Sequence, residues 1–192
     1  MTDPEVPAGE NPAASVAARD EIAGVVDLFG ALTRAELRAA LSELAFKRGA
    51  DVDDAAVDAA VDAAIREYAL VPVDDGESAD DGPPADAGGV PAVTDDDRLA
   101  VGPAAFPTLP ERAEDLPHIL DVEERDPDRE ALGRAVASRL RAEADALLDA
   151  SGSRGGDRAE TLLDVCYDLD VWAPVETDDV RDRLTEALVD AE

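Results

Sequence analysis

The chain has 192 residues, 45% of them apolar and only 3% aromatic, and 47 acids against 17 bases give a formal charge of −30. That suffices for one compact domain or two small ones sharing an interface, with a core of Leu, Val and Ala rather than rings. No run of eighteen apolar residues marks a membrane-spanning helix, the first thirty residues show no leader pattern, and the lone Cys166 leaves no intramolecular disulfide. A soluble, cytoplasmic protein is expected.

The charges lie between regular apolar stripes, which a disordered acidic chain lacks. Such acidity suits molar salt, where the Debye length falls to about 3 Å and carboxylate repulsion is screened.

In chain order, residues 1–14 are Pro-rich and aperiodic and are expected to form a disordered tail. A first helix is predicted from Ser15 to Ala31 on Val16, Ile22, Val25, Val26 and Phe29, ending near Gly30. The second is bounded most clearly. Thr33 and Glu36 form a capping box, and Leu32 with Leu37 a hydrophobic staple. Leu37, Leu41 and Leu44 make its buried stripe, joined by Phe46, and Gly49 stops it. A third helix starts from Asp51 or Asp53 and buries Val57, Val61, Ala64, Ile65 and Tyr68. Tyr68–Val73 and Arg98–Val101 can pair as a hairpin. Between them residues 74–97 hold nine acids, three prolines and no base, which reads as a disordered insertion in the wing. Helix, helix, then a ribbon is the order of a winged helix-turn-helix unit, placed at residues 15–110.

A Pro-punctuated connector at 111–126 leads to a C-terminal helical region at 127–192. Asp126 before Pro127 is a helix start, followed by an i, i+4 stripe of Leu132, Val136, Leu140, Ala144 and Leu147. SGSRGG ends that helix. Asp157 with Glu160 opens the next, carrying Leu162, Leu163, Cys166, Tyr167 and Leu169, and Thr177 with Asp178 and Asp179 opens the last, burying Val180, Leu184 and Leu188.

The segments LFGALTRAELRAALSELAFKRG (28–49), YALV (68–71), FPTLPERAEDLPHILDV (106–122) and LLDVCYDLDVWAPVE (162–176) together resemble a family of haloarchaeal proteins of unknown function. The resemblance implies a high-salt cytoplasm. It carries no activity and no functional residues.

Candidate chemistry is sparse. His118, the single histidine, lacks an orienting carboxylate and a nucleophile in its surroundings, so a packing role fits better than a general base. Cys166 lies on an apolar helical face amid Asp164, Asp168 and Asp170, the opposite of the electropositive setting of a reactive thiol. A metal held by His118 and Cys166 needs two further ligands that nothing singles out. Asp51, Asp53 and Asp54 lack the Gly and the bidentate Glu of a calcium loop and read as helix caps. No Gly-rich phosphate loop is present. No catalytic residue, cofactor, metal or small-molecule substrate is assigned, and the chain is expected not to be an enzyme.

Arg34, Arg38, Lys47 and Arg48 form the one locally basic segment, opposed only by Glu36 and Glu43. They suit a phosphate-contacting surface beside a recognition helix. Against this, the third helix carries Asp53, Asp54, Asp58, Asp62 and Glu67 against Arg66, and no Asn or Gln for base readout. Ion pairing with neighbouring carboxylates is the stronger expectation.

The fold expected is mainly α with a small β-hairpin: a winged helix-turn-helix-like N-terminal unit, then about three helices packed on it or on a second copy. The function expected is a non-enzymatic protein-interaction or regulatory adaptor binding protein (itself or another), through a face that exposed Phe29, Phe46 or Trp172 would mark. The alternative is a winged-helix DNA-binding transcriptional regulator using the four cations.

Overall fold

The computed structural model describes residues 12–49, 53–73, 91, 93–150 and 156–190. Its elements are α1 (Pro12–Phe29), β1 (Ala31–Thr33), α2 (Arg34–Arg48), α3 (Asp54–Arg66), β2 (Leu70–Pro72), β3 (Arg98–Val101), a 3₁₀ turn (Ala113–Asp115), α4 (Leu116–Ile119), α5 (Arg129–Asp149), α6 (Gly156–Trp172) and α7 (Asp178–Asp190). The molecule is mainly helical with a small antiparallel sheet.

The expected hairpin forms. Leu70 faces Val101 and Pro72 faces Leu99 in register, so β2 and β3 pair across the acidic insertion. A third strand, β1, pairs with β3 and gives the order β1-β3-β2, consistent with a winged-helix-like unit. β1 is only three residues long, wedged between Gly30 and the capping box, too short for an alternation to show in sequence. Of the insertion, residues 74–90 and 92 lie outside the described residues, but 93–97 are placed: Thr94 is turned onto Asp97, and the Ala35 N–H donates to the Asp95 carbonyl.

The sheet separates two cores, and strand alternation assigns residues to each. Leu32, Leu70 and Leu99 point into the layer of α1, α2 and α3. Ala31, Val71 and Ala100 point the other way, against Leu132, Val136, Leu140, Leu162, Val165, Leu169, Val180 and Leu184 from α5, α6 and α7. The C-terminal helices therefore pack on the N-terminal unit within one chain. Stretches of the connector join the first core through Ala113 and Leu116.

Helix ends follow local chemistry. In α2, Thr33 accepts from the Glu36 N–H at 3.1 Å, Glu36 accepts from the Thr33 N–H at 2.8 Å, and Gly49 closes the helix in the left-handed region. Helix α1 starts three residues before the predicted Ser15, at Pro12; residues 1–11 lie outside the described residues, as do Asp51 and the rest of 50–52. Helix α5 starts later than predicted. Asp128, not Asp126, accepts from the Glu130 and Ala131 N–H groups. The reason is tertiary: the Arg125 N–H donates to the Phe29 carbonyl at 2.8 Å and holds the chain extended past Pro127. Gly30, at φ +73°, admits this approach, because a Cβ there would collide with the Arg125 carbonyl oxygen.

Three side chains expected in cores are not there. Phe46 is 79% exposed, since it stands two residues and about 200° round the helix from Leu44. Tyr167 is exposed on α6 under Arg181, and Leu163 is half-buried.

Candidate functional site

The basic segment was the one sequence-level candidate, and each of its cations has a carboxylate. Arg34 is only 8% exposed; it donates to Asp62 at 2.6 Å and lies 3.7 Å from Asp58. Arg38 donates to Asp58 at 2.7 Å and to Asp95 at 3.2 Å, and these bonds hold its guanidinium further toward the charged form. Lys47 reaches Asp115 at 3.5 Å and Arg48 lies 3.7 Å from Glu21. Arg34 and Arg38 thus point across to α3 rather than outward together.

The acids of α3 are used in the same way. Asp58 and Asp62 hold α2, Glu67 takes Arg19 at 2.5 Å, and Asp53 accepts from its own helix at the Ala55 N–H. While making these pairs Asp58, Asp62 and Glu67 keep 36%, 51% and 46% of their side chains in water, and Asp53 and Asp54 are exposed. What α3 presents to solvent is Asp54, Ala55, Ala56, Ala59 and Arg66. Ala55, Ala56 and Ala59 form the apolar part of that face, beside half-exposed Asp62, and none of these alanines can make the hydrogen bonds that read a base edge.

Beside it lies an apolar cleft of about 430 Å³ between α1, the end of α2 and the start of α3. Ile22, Leu41, Leu44 and Val57 line it with the small Ala45, Ala56 and Ala60, and Pro110 closes one side. The segment carrying Pro110 is pinned: the Thr108 N–H donates to the Asp20 carbonyl at 3.0 Å, and Gly24 admits the Thr108 carbonyl where a Cβ would collide. On that segment Phe106 is 70% and Leu109 48% exposed.

Two further clusters escaped the sequence. Arg125 grips the capping-box Glu36 with both nitrogens, at 2.6 and 2.7 Å, and donates to the Ala31 carbonyl at 2.8 Å. The bond from Arg125 holds Glu36 below its ordinary pKa against the opposing effect of burial. At the seam between the layers, Tyr68 is fully buried at φ +61°, a strained setting for an aromatic residue. Its hydroxyl donates to Glu143 at 2.8 Å, and Arg158 donates to the same carboxylate from Nε at 2.7 Å and from Nη2. Arg139 covers the Tyr68 ring at 3.9 Å and donates to the Ile65 and Arg66 carbonyls; Arg158 also reaches Arg66. Two guanidinium groups from α5 and α6 therefore serve the last carbonyls of α3, where its dipole is negative. Burial drives the Tyr68 phenol pKa up and the Arg139 pKa down, so the phenol stays neutral. This cluster binds the two layers together. A hint was available: Arg139 and Glu143 are an i, i+4 pair flanking the apolar stripe of α5.

His118 is exposed on α4. Cys166 is buried, burial raises its thiol pKa, and the Thr177 hydroxyl donates to its carbonyl. Of the three markers of a working face, Phe29 is buried, Trp172 is half-buried beneath Arg129 at 4.8 Å, and Phe46 is exposed. Among the described residues no group of three or more His, Cys, Asp or Glu could hold a metal ion, and no helix is long and apolar enough to cross a membrane. No curated protein and no solved structure matches the chain. A family model does match, over residues 20–189, and the chain belongs to that family of unknown function, DUF7109.

Proposed function

We propose that this is a non-enzymatic protein-interaction module, an adaptor or regulator, working in the salty cytoplasm of a haloarchaeal cell. One observation carries the reading: the outer face of α3, which would lie toward a groove in a DNA-binding winged helix, sets Ala55, Ala56 and Ala59 beside Asp54 and half-exposed Asp62, with Arg66 as its one cation, while the cations of α2 are paired to carboxylates. A methyl surface beside an apolar cleft suits a protein partner. Buried Cys166, with its raised pKa, and exposed His118 do not form a nucleophile–base pair of the kind an acyl-transfer enzyme needs. The charge of −30 supports the saline setting, since about 3 Å of screening length makes it tolerable.

The strand order favours a second reading, DNA binding by a winged helix. For it Arg38, Lys47 and Arg48 must leave their partners for phosphates while a strongly acidic molecule approaches a polyanion. Anisotropy of labelled duplex DNA, titrated with folded protein from 0.15 M to molar KCl, separates the two. No saturable binding is expected. Binding that weakens with salt and in Arg38→Gln/Arg48→Gln overturns the proposal in favour of the second reading.

A further inference from the structure

We infer that the cleft between α1, α2 and α3 receives a helix from a partner protein, with large apolar anchors on one face and Lys or Arg flanking them. This rests on the protein-interaction reading and assigns its surface and its partner's chemistry. Three features point to that occupant.

The first is shape. The cleft is open, holds about 430 Å³, and has alanines at 45, 56 and 60 where larger residues would fill it. A Leu, Phe or Trp anchor would find Leu41, Leu44 and Val57 beneath it, the arrangement by which grooves take one face of an amphipathic helix. The second is preorganisation. Pro110, which lines the cleft, belongs to a segment fixed to α1 by the Thr108 bond and the Gly24 contact, and exposed Leu109 and Phe106 lie one and four residues before it, so the segment offers apolar area without a further ordering cost. The third is charge. Exposed Asp53 lines the cleft, exposed Asp54 and Glu111 follow lining residues Asp53 and Pro110 in the chain, and the cleft's cation Arg48 already faces Glu21 at 3.7 Å. With a screening length of about 3 Å only close contacts count, and there a second copy, bringing its own acidic rim, or an acidic helix meets like charge, whereas Lys and Arg flanks pair with these carboxylates.

The test uses the full chain and three labelled synthetic peptides. One is an amphipathic Leu/Lys helix, one the same composition scrambled to remove the apolar face, and one the helix with Glu for Lys. Anisotropy is read in molar KCl, where non-specific attraction is screened. The Leu/Lys helix is expected to bind about tenfold or more tightly than either control. Ala56→Arg/Ala60→Arg, which fills and reverses the cleft, is expected to lose binding about tenfold, and Phe106→Ser, a change at an exposed residue, to weaken it with the fold intact. Equal binding of the scrambled peptide, an unchanged affinity in both variants, or a stable dimer of the chain abolished by Ala56→Arg/Ala60→Arg overturns the inference. If the helix fails to bind and duplex DNA also fails, only this assignment falls. If DNA binds instead, the protein-interaction reading falls with it.

Discussion

Removing the Glu143 carboxylate is the most informative single perturbation. Glu143→Ala deletes the acceptor of the Tyr68 hydroxyl at 2.8 Å and of two Arg158 nitrogens, in a residue only 9% exposed. The orphaned Tyr68 hydroxyl, fully buried, costs about 1–3 kcal/mol. Arg158 keeps 27% of its side chain in water, so its lost partner adds less than the full cost of a broken buried pair. We expect a loss of about 3 kcal/mol. Tyr68→Phe removes the donor alone, leaves Glu143 served by Arg158, and should cost about 1–1.5 kcal/mol. The double variant removes the orphan as well as the acceptor. It should therefore fall short of the sum of the single losses by about 1 kcal/mol. Urea unfolding in molar KCl, followed by circular dichroism, gives all three values; the slope against denaturant should not change. Additivity within about 0.3 kcal/mol, or a Glu143→Ala loss under about 0.5 kcal/mol, would refute the coupling of the layers through this seam.

Phe46→Ser should change stability by no more than about 0.5 kcal/mol, whereas Leu37→Ala should cost about 2–5 kcal/mol, both by the same urea assay. Gly24→Ala should cost about 1–3 kcal/mol and raise amide exchange in the 106–110 segment, because its Cβ must push the Thr108 carbonyl away. Glu36 has a folded pKa below its unfolded one, chiefly through Arg125. Its contribution is thus present above the ordinary glutamate value of about 4.3 and lost as pH falls through the depressed folded value. Arg125→Met should flatten the stability-against-pH curve in that acidic window, and an unchanged slope would remove the clamp from the account. Arg34→Glu, unlike Arg38→Gln, should unfold the protein, because it buries a third carboxylate against Asp58 and Asp62. Charge reversal at Arg34 is therefore no clean probe of DNA binding.

Much of the architecture was legible locally. The capping box of Thr33 and Glu36, the stop at Gly49, and the i, i+4 stripes of α5 and α7 are signals written within one or two turns. The strands β2 and β3 were readable because the acidic insertion separates two short β-rich runs. What stayed hidden depends on distant partners. The start of α5 moved because Arg125 pairs with Phe29, and Glu36 proved to be both a cap and the anchor of Arg125, 89 residues away. Tyr68 meets Glu143 across 75 residues, and no periodicity encodes that. At the basic segment, composition suggested ion pairing but not its partners. Asp58 and Asp62 of α3 take Arg34 and Arg38, so one set of contacts occupies cations and acids together. The same folding turned Ala55, Ala56 and Ala59 outward and Ala64 into the core, a division that a propensity argument, counting all of them as helix formers, does not make.

Formaldehyde cross-linking of the tagged full chain in the cells that make it, followed by DNA sequencing and mass spectrometry on the same material, tests the central claim most directly. The account predicts a reproducible protein adduct that Ala56→Arg/Ala60→Arg removes, and no enrichment of any DNA site. Enrichment of discrete DNA sites that survives this substitution and disappears in Arg38→Gln/Arg48→Gln would contradict it.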